Sequence, residues 1–365
     1  MTENELREIV SRIRPADEGA AAAARARQSS LAKPPRSLGK LEDISVKLAG
    51  ISGRVNNRIK KTLVMVFAAD NGVTREGVAV TPKEVTLRQA VNMTKHKTGM
   101  SALARSFGDS VRVYDVGIDA PARRELINAK IRRGTASILR GPAMTRPEAL
   151  GALEAGFNAA MDAKRDGFDA VGIGEMGIGN TTTSAAVLCA LTGCAASTAT
   201  GRGSGLSDEG LMRKTRVVEE AVRLNAPDGN DPIDVISKVG GLDIAAMTGA
   251  YLGCAAARVP AVADGFISIV AALCAYRLCP AVRDHVFLSH ASEEPGYALA
   301  AKELGLSPWL LLDMRLGEGS GCPLGFRIMQ AACAVMNDMV TFDEASIDDG
   351  YLAELDEVEG FNYER

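Results

Sequence analysis

Five short runs of continuous apolar residues punctuate this chain, and each ends in a polar residue or a glycine. They are "TLVMVFAADNGV" (62–73), "VRVYDVGID" (111–119), "DAVGIGEMGIGN" (169–180), "VPAVADGF" (259–266) and "HVFLSHAS" (285–292). None alternates apolar with polar, so both faces of each run need cover. Buried parallel strands have this pattern. Ala-rich stretches with helical spacing separate them. The alternation predicts an α/β fold built on a doubly wound, mainly parallel sheet. Residues 1–60 read as helices, among them "EDISVKLAGISGRV". Between two of these, the prolines of "KPPRSLGKLE" (33–42) stiffen an extended segment, and Ser37 is placed to cap the next helix.

In open parallel sheets a ligand sits at the carboxyl ends of the strands. The polar residues that close the runs are therefore expected to converge on one crevice: Asp70–Asn71–Gly72, Asp119, Glu175, Asp264 and Ser289–His290. The lone His290 reads as structural rather than catalytic.

Bulk properties narrow the classes. The 365 residues are 47% hydrophobic and 24% charged, with aromatics at only 4%. A net charge of −3 gives no electrostatic footprint for nucleic acid or an anionic membrane. The longest apolar stretch, 259–282, is interrupted by Asp264 and Arg277, so it reads as strand then helix and no membrane span is expected. The start, "MTENELREIVSRIRPADEG", has no apolar signal core. Seven scattered cysteines without a C-x-x-C read as reduced packing residues of a cytoplasmic protein. With three histidines, no metal site is expected.

Three glycine-rich loops precede helices. "GIGEMGIGNTTTSAA" (172–186) offers helix N-terminal amides and the side chains of Asn180, Thr181 and Thr182 to an anion. It lacks both the dinucleotide fingerprint and the P-loop lysine; the other reading is a tight strand–helix turn. "TATGRGSGLSDEGLMRKT" (198–215) adds Arg213 and Lys214 nearby, and "KVGGLDIAAMTG" (238–249) places Asp243 where it can cap a helix. Thr81 and Gln89 are uncharged hydrogen-bonding groups suited to a small polar heterocycle. In "RLGEGSGCPLGF" (315–326) a single carboxylate, Glu318, stands between glycines, either for chemistry or as a helix cap.

Taken together, "KPPRSLGKLE", "FAADNGVTREGVAVTPKEVT", "GIGEMGIGNTTTSAA", "GRGSGLSDEGLMRK", "DVISKVGGLDIAAMTG", "ADGFISIVAAL", "SHASEEPG" and "MRLGEGSGCPLGFRIMQAA" resemble the nicotinate-nucleotide–dimethylbenzimidazole phosphoribosyltransferase family, in that family's order from residue 33 to about 340. The resemblance implies a Rossmann-like α/β domain (61–319) and a small helical domain from residues 1–60 and about 320–365, in a homodimer. It implies transfer of 5-phosphoribosyl from nicotinate mononucleotide to 5,6-dimethylbenzimidazole or a related base, with no cofactor. Glu318 then falls in the general-base position and Glu175 in a supporting one. Thr81 and Gln89 match the base pocket. Gly174, Met176, Gly177, Asn180, Thr181, Thr182, Gly201, Gly203 and Lys214 match nucleotide phosphate and ribose contacts. Asp243, Asp264, Ser292 and Leu316 complete the expected substrate-binding set. Asn71 stands where family members often carry His, and Arg88 adjoins Gln89. The alternatives are transfer to a purine or a phenol, a dinucleotide-dependent oxidoreductase, and a non-catalytic nucleotide binder, which would have no use for Glu318.

Overall fold

The computed structural model describes residues 1–355 and 358. Helices α1 (Glu3–Arg12), α2 (Glu18–Ser30) and α3 (Lys40–Ser52) precede strand β1 (Thr62–Ala69). A short turn of helix leads to α4 (Val85–Thr94) and α5 (Gly99–Phe107), followed by β2 (Ser110–Gly117) and the two-residue β3 (Ile127–Asn128). Helix α6 (Arg146–Arg165) returns the chain to β4 (Ala170–Met176). Between β4 and β5 (Ala261–Ala263) lie α7 (Asn180–Thr192), α8 (Ala196–Ala199), α9 (Asp208–Asn225), α10 (Pro232–Val239) and α11 (Leu242–Ala256). Helix α12 (Phe266–Leu278) joins β5 to β6 (Val286–Leu288), and α13 (Gly296–Leu304), α14 (Cys322–Asp338) and α15 (Phe342–Ala345) follow.

The six strands form one sheet in the order β3-β2-β1-β4-β5-β6, and every pair is parallel. The five predicted runs are five of these strands. The sixth, β3, is too short and too exposed to leave a hydrophobic signal. Alternate side chains of β1 serve two different cores. Leu63, Met65, Phe67 and Ala69 join the layer built by α6, α7, α11 and α12. Val64, Val66 and Ala68 join the layer of α3, α4, α5 and α14. Continuous apolarity is what two-sided burial demands.

The stretch at 259–282 is β5 plus α12, as its interruptions suggested, and no described helix is long and apolar enough to cross a membrane. The chain's two ends meet. Arg27 Nε donates to the Met336 carbonyl at 3.2 Å, and Ala24, Ala49 and Met336 pack together. Helix α14 also lies on the sheet: a Cβ built at Gly172 of β4 would come within 2.4 Å of Cys322 Cβ. Residues 356, 357 and 359–365 of the expected helical segment lie outside the described residues.

Ser37 does not cap α3. That helix starts at Gly39 (φ 52°) without a side-chain cap. Glu42 instead reaches back to the amides of Arg36 (3.1 Å) and Leu38 (2.9 Å) and pairs with Lys33 at 2.9 Å, both side chains being buried. The motif's carboxylate thus satisfies the loop amides that the prolines leave exposed.

Helices α6 and α11 approach so closely that a Cβ at Gly249 would lie 1.8 Å from the Leu153 carbonyl oxygen. Gly249→Ala is expected to lower stability by about 1–3 kcal/mol in urea unfolding. That loss outweighs the roughly 1 kcal/mol that alanine offers a helix. A variant as stable as wild type would show that the two helices can separate freely.

Candidate active site

The strand order reverses between β1 and β4, and a cleft of about 290 Å³ opens beyond the carboxyl ends of the strands at that reversal. Glu175, the penultimate residue of β4, and Asp264, next after β5, both line it. Their carboxylates are turned to the segment Gly317–Glu318–Gly319, which crosses the strand ends before α14.

That segment has an unusual backbone. Gly317 (φ 81°), Glu318 (φ 65°) and Gly319 (φ 88°) are all left-handed. For a residue with a side chain this costs about 1–3 kcal/mol and needs compensation. Three amides supply it. The Glu318 N–H donates to Glu175 Oε1 at 3.1 Å. The amides of Gly319 and Gly321 donate to Asp264 Oδ2 and Oδ1 at 3.0 and 2.7 Å. Gly174 explains how the segment can sit so low. A Cβ there would meet the Glu318 carbonyl oxygen and Gly319 at 2.7 Å.

Glu318 itself is 6% exposed. Gln89 of α4 donates to its Oε1 at 3.2 Å, while Oε2 is buried with no hydrogen-bond partner among the described residues. Burial raises its pKa, opposed by Thr98, Gln89 and the Met100 amide at the start of α5. The helix-cap reading fails, because α14 is preceded by Gly321 and has no side-chain cap.

Behind the cleft lies a second layer of acid. Asn180 donates its amide to Glu175 Oε2, and the same Nδ2 lies 3.2 Å from Asp243 Oδ2. Burial pushes Glu175 up to about 8 and Asp243 up to about 6. Asp264 is raised by burial too, opposed by His290 and the loop amides. His290 Nδ1 is 3.8 Å from Asp264 Oδ1 and 3.1 Å from Ser289 Oγ, buried away from the cleft.

The expected residues fall into two groups. Glu318, Glu175, Gln89, Asp264, Ser292 and Leu316 line the cleft, as do Met176, Gly177, Asn180, Thr181 and Gly203. Gly174, Thr81, Thr182, Gly201, Lys214 and Asp243 do not. Thr81 bonds Ser204 at 3.1 Å, and Thr182 is fully buried. Lys214 lies under the 201–203 loop, its Nζ donating to Thr181 Oγ1 (2.8 Å) and the Gly201 carbonyl (2.9 Å). Burial pulls its pKa down to about 8, opposed by the charge of Glu294. Asp243 sits behind Asn180 and does not cap α11, which starts at Gly241 without a side-chain cap. Of the other strand-end residues, Asp70 receives the Asp119 amide at 2.8 Å and Asp119 pairs with Lys83 outside the cleft.

Sequence reading missed Glu294, Arg202, Ser204, Arg315 and the Gly265–Ser268 turn, all of which line the cleft. Arg202 and Arg315 stand inside the glycine motifs already singled out. Glu294 stands in "SHASEEPG", a motif to which no role for that acid was attached. Among the described residues no cluster of three or more His, Cys, Asp or Glu is arranged to hold a metal ion.

A parallel-sheet cleft with helix N-termini on one side and a strained carboxylate on the other suits a glycosyl transfer from a nucleotide. The class is confirmed by a family profile described as phosphoribosyltransferase, which matches residues 13–347. The chain is 51% identical over 355 residues to a nicotinate-nucleotide–dimethylbenzimidazole phosphoribosyltransferase of Clostridium perfringens, covering 97% of this chain and 98% of that one. It is 46% identical over 350 residues to the protein of the same name from Geobacter sulfurreducens, covering 94% and 99%. The crystal structure of the protein of that name from Thermus thermophilus superposes with a TM-score of 0.86 at 40% identity, over 92% of this chain and 100% of that one. The chain belongs to the nicotinate-nucleotide–dimethylbenzimidazole phosphoribosyltransferase family.

The shifted Glu175 makes stability depend on pH. Its folded pKa of about 8 lies above the ordinary 4.5, so the fold favours the protonated form. That contribution is complete below about pH 4.5 and is lost as pH rises through about 8. Glu175→Gln, neutral at every pH, is expected to gain on wild type across that window, by about 2 kcal/mol or more at its upper end. Urea unfolding at pH 5 and pH 8.5 reads the difference; a gap that does not widen with pH would refute the assignment.

Proposed function

We propose that this chain transfers the 5-phosphoribosyl group of nicotinate mononucleotide to 5,6-dimethylbenzimidazole or a closely related base. The products are the α-ribosyl nucleotide of that base (for dimethylbenzimidazole, α-ribazole 5′-phosphate) and nicotinate. The observation that carries this reading is Glu318, a buried carboxylate held at the cleft in a left-handed conformation, its Oε2 without a hydrogen-bond partner among the described residues.

The donor's phosphate suits the N-termini of α7 and α12, whose first residues line the cleft through Gly177–Thr181 and Gly265–Ile267. Val78, Val85 and Leu316 offer an apolar wall to a flat bicyclic acceptor. In the reaction, one ring nitrogen of the acceptor attacks C1′ from the face opposite the leaving group. The bond from C1′ to the pyridinium nitrogen breaks, and its electron pair neutralises the departing ring. Positive charge that builds on the acceptor is relieved when its N–H proton passes to Glu318. The pyridinium leaves as a neutral ring, so it needs no acid. No pyrophosphate leaves, so no cation is needed to neutralise one. The raised pKa of Glu318 brings it nearer to the range in which a general base works best. Glu175 and Asp264 act through the loop amides, and the positive ring of the donor favours their ionised forms.

The same strand order occurs in dinucleotide-binding folds, where the glycine loop follows the first strand. Here β1 runs into Asp70–Asn71–Gly72, and the glycine loop follows β4 instead. That placement disfavours an oxidoreductase. We take the working unit to be a homodimer, in keeping with the exposed Leu311, Leu312 and Leu316. We place it in the cytoplasm, in keeping with its seven free cysteines.

Incubation with nicotinate mononucleotide and a panel of benzimidazoles, purines and phenols, read by mass spectrometry, tests the reaction. Glu318→Gln is expected to bind both substrates while kcat falls roughly 10²- to 10⁴-fold. A folded variant with near wild-type kcat would eliminate Glu318 as the base. Turnover is expected to survive excess EDTA; activity lost to EDTA and restored by Mg²⁺ would contradict a reaction without pyrophosphate.

A further inference from the structure

We propose that Glu294 recognises a ribose hydroxyl of the nucleotide donor and makes the enzyme selective for ribo- over deoxyribonucleotides. The inference rests on the phosphoribosyl-donor reading and extends it to a residue of "SHASEEPG" to which the sequence reading gave no role.

Glu294 follows β6 in the segment leading to α13, and it lines the cleft while only 9% exposed. Its Oε1 accepts the Gly203 amide at 3.0 Å. Its Oε2 has no hydrogen-bond partner among the described residues. Its own amide donates to Ser292 Oγ at 3.4 Å, which fixes the side chain's base. A carboxylate offers about four acceptor sites, and Glu294 spends one of them. Leaving such a group buried and unfilled is costly, so a donor from the ligand is the natural completion.

The donor must be a neutral hydroxyl. A phosphate carries the same sign as Glu294 and is repelled by it. Glu294 also sits next to the nucleotide end of the cleft. It holds Gly203, and a Cβ built at Gly203 would lie 3.2 Å from Thr181 Oγ1, in the first turn of α7. The other cleft acids are engaged elsewhere, since Glu175 and Asp264 both bind the amides of the Glu318 loop. Lys214, behind the glycine loop, holds the Gly201 carbonyl, and the charge of Glu294 opposes the fall that burial imposes on the lysine's pKa. The ribose of a nucleotide carries two hydroxyl donors next to C1′ and C4′. No other part of the donor pairs neutral O–H groups with a position between the phosphate and the reacting carbon.

The test compares nicotinate mononucleotide with its 2′-deoxy and 3′-deoxy counterparts on wild type, Glu294→Ala and Glu294→Gln, by calorimetric Kd and by kcat/KM. Wild type is expected to disfavour one deoxy form by roughly 10- to 150-fold, the span of a hydrogen bond to a charged group. Glu294→Ala should weaken the ribonucleotide by a similar factor and leave that deoxy form unchanged, so the preference collapses. Glu294→Gln keeps an oxygen for Gly203 and should keep part of the preference. Equal losses on all three nucleotides would mean that Glu294 only braces the glycine loop, and the proposal falls. Wild type indifferent to both hydroxyls also overturns it. Because Kd is read without turnover, absent transfer would count against the reaction alone.

Discussion

Three backbone amides in one short loop, bound by two carboxylates at the ends of adjacent strands, decide what this protein is able to do. Glu175 and Asp264 take the N–H groups of Glu318, Gly319 and Gly321. A loop with three left-handed residues in a row does not hold itself. The sheet holds it, through β4, which borders the point where the winding reverses, and β5 beside it. The price of this arrangement is electrostatic: four acids, including Asp243, lie within one buried region, and burial lifts the pKa of every one. Asn180, Gln89, the loop amides and the start of α5 are the dipoles that offset the repulsion. Positioning of the proposed base and the clustering of negative charge are thus one feature seen from two sides.

Much of the architecture was legible in the sequence because parallel strands buried on both faces leave a signal that little else imitates. The runs at 62–73, 111–119 and 169–180 could be read without any partner; the polar end of the third lines the crevice, whereas Asp70, Asn71 and Asp119, which close the first two, do not. Two residues at Ile127–Asn128 carry no such periodicity, so β3 went unseen. The N-terminal motif was located but misread at Ser37. A helix cap is a local signal, whereas the reach of Glu42 back over the loop is set by how α3 packs.

The site was legible in its motifs and not in its depth. Glycine loops told where backbone approaches something closely, but not what. At Gly174 the neighbour is the Glu318 loop. At Gly201 it is the Glu294 carboxylate, which a Cβ would meet at 2.1 Å. Lys214 looked like a phosphate ligand because it is a cation beside a glycine loop, yet its ammonium points under that loop, where Thr181 and a carbonyl hold it. Glu294 is the converse case. It lies some ninety residues from the loop it touches, and only the fold brings the two together.

The doubled duty of β1, whose alternate side chains feed two separate cores, bears on how such an enzyme changes over time. The proposed base is fixed by main-chain contacts to the sheet, while Val78 and Val85, which wall the side of the cleft proposed for the acceptor, come from the segment after β1 and from α4. Those wall residues can be exchanged without touching a strand or an amide that holds Glu318, within the space that Val78 fills in one core and Val85 fills against the other. Acceptor preference is therefore free to drift among lineages while the catalytic chemistry stays under constraint, and one scaffold can explore many ring systems by single substitutions.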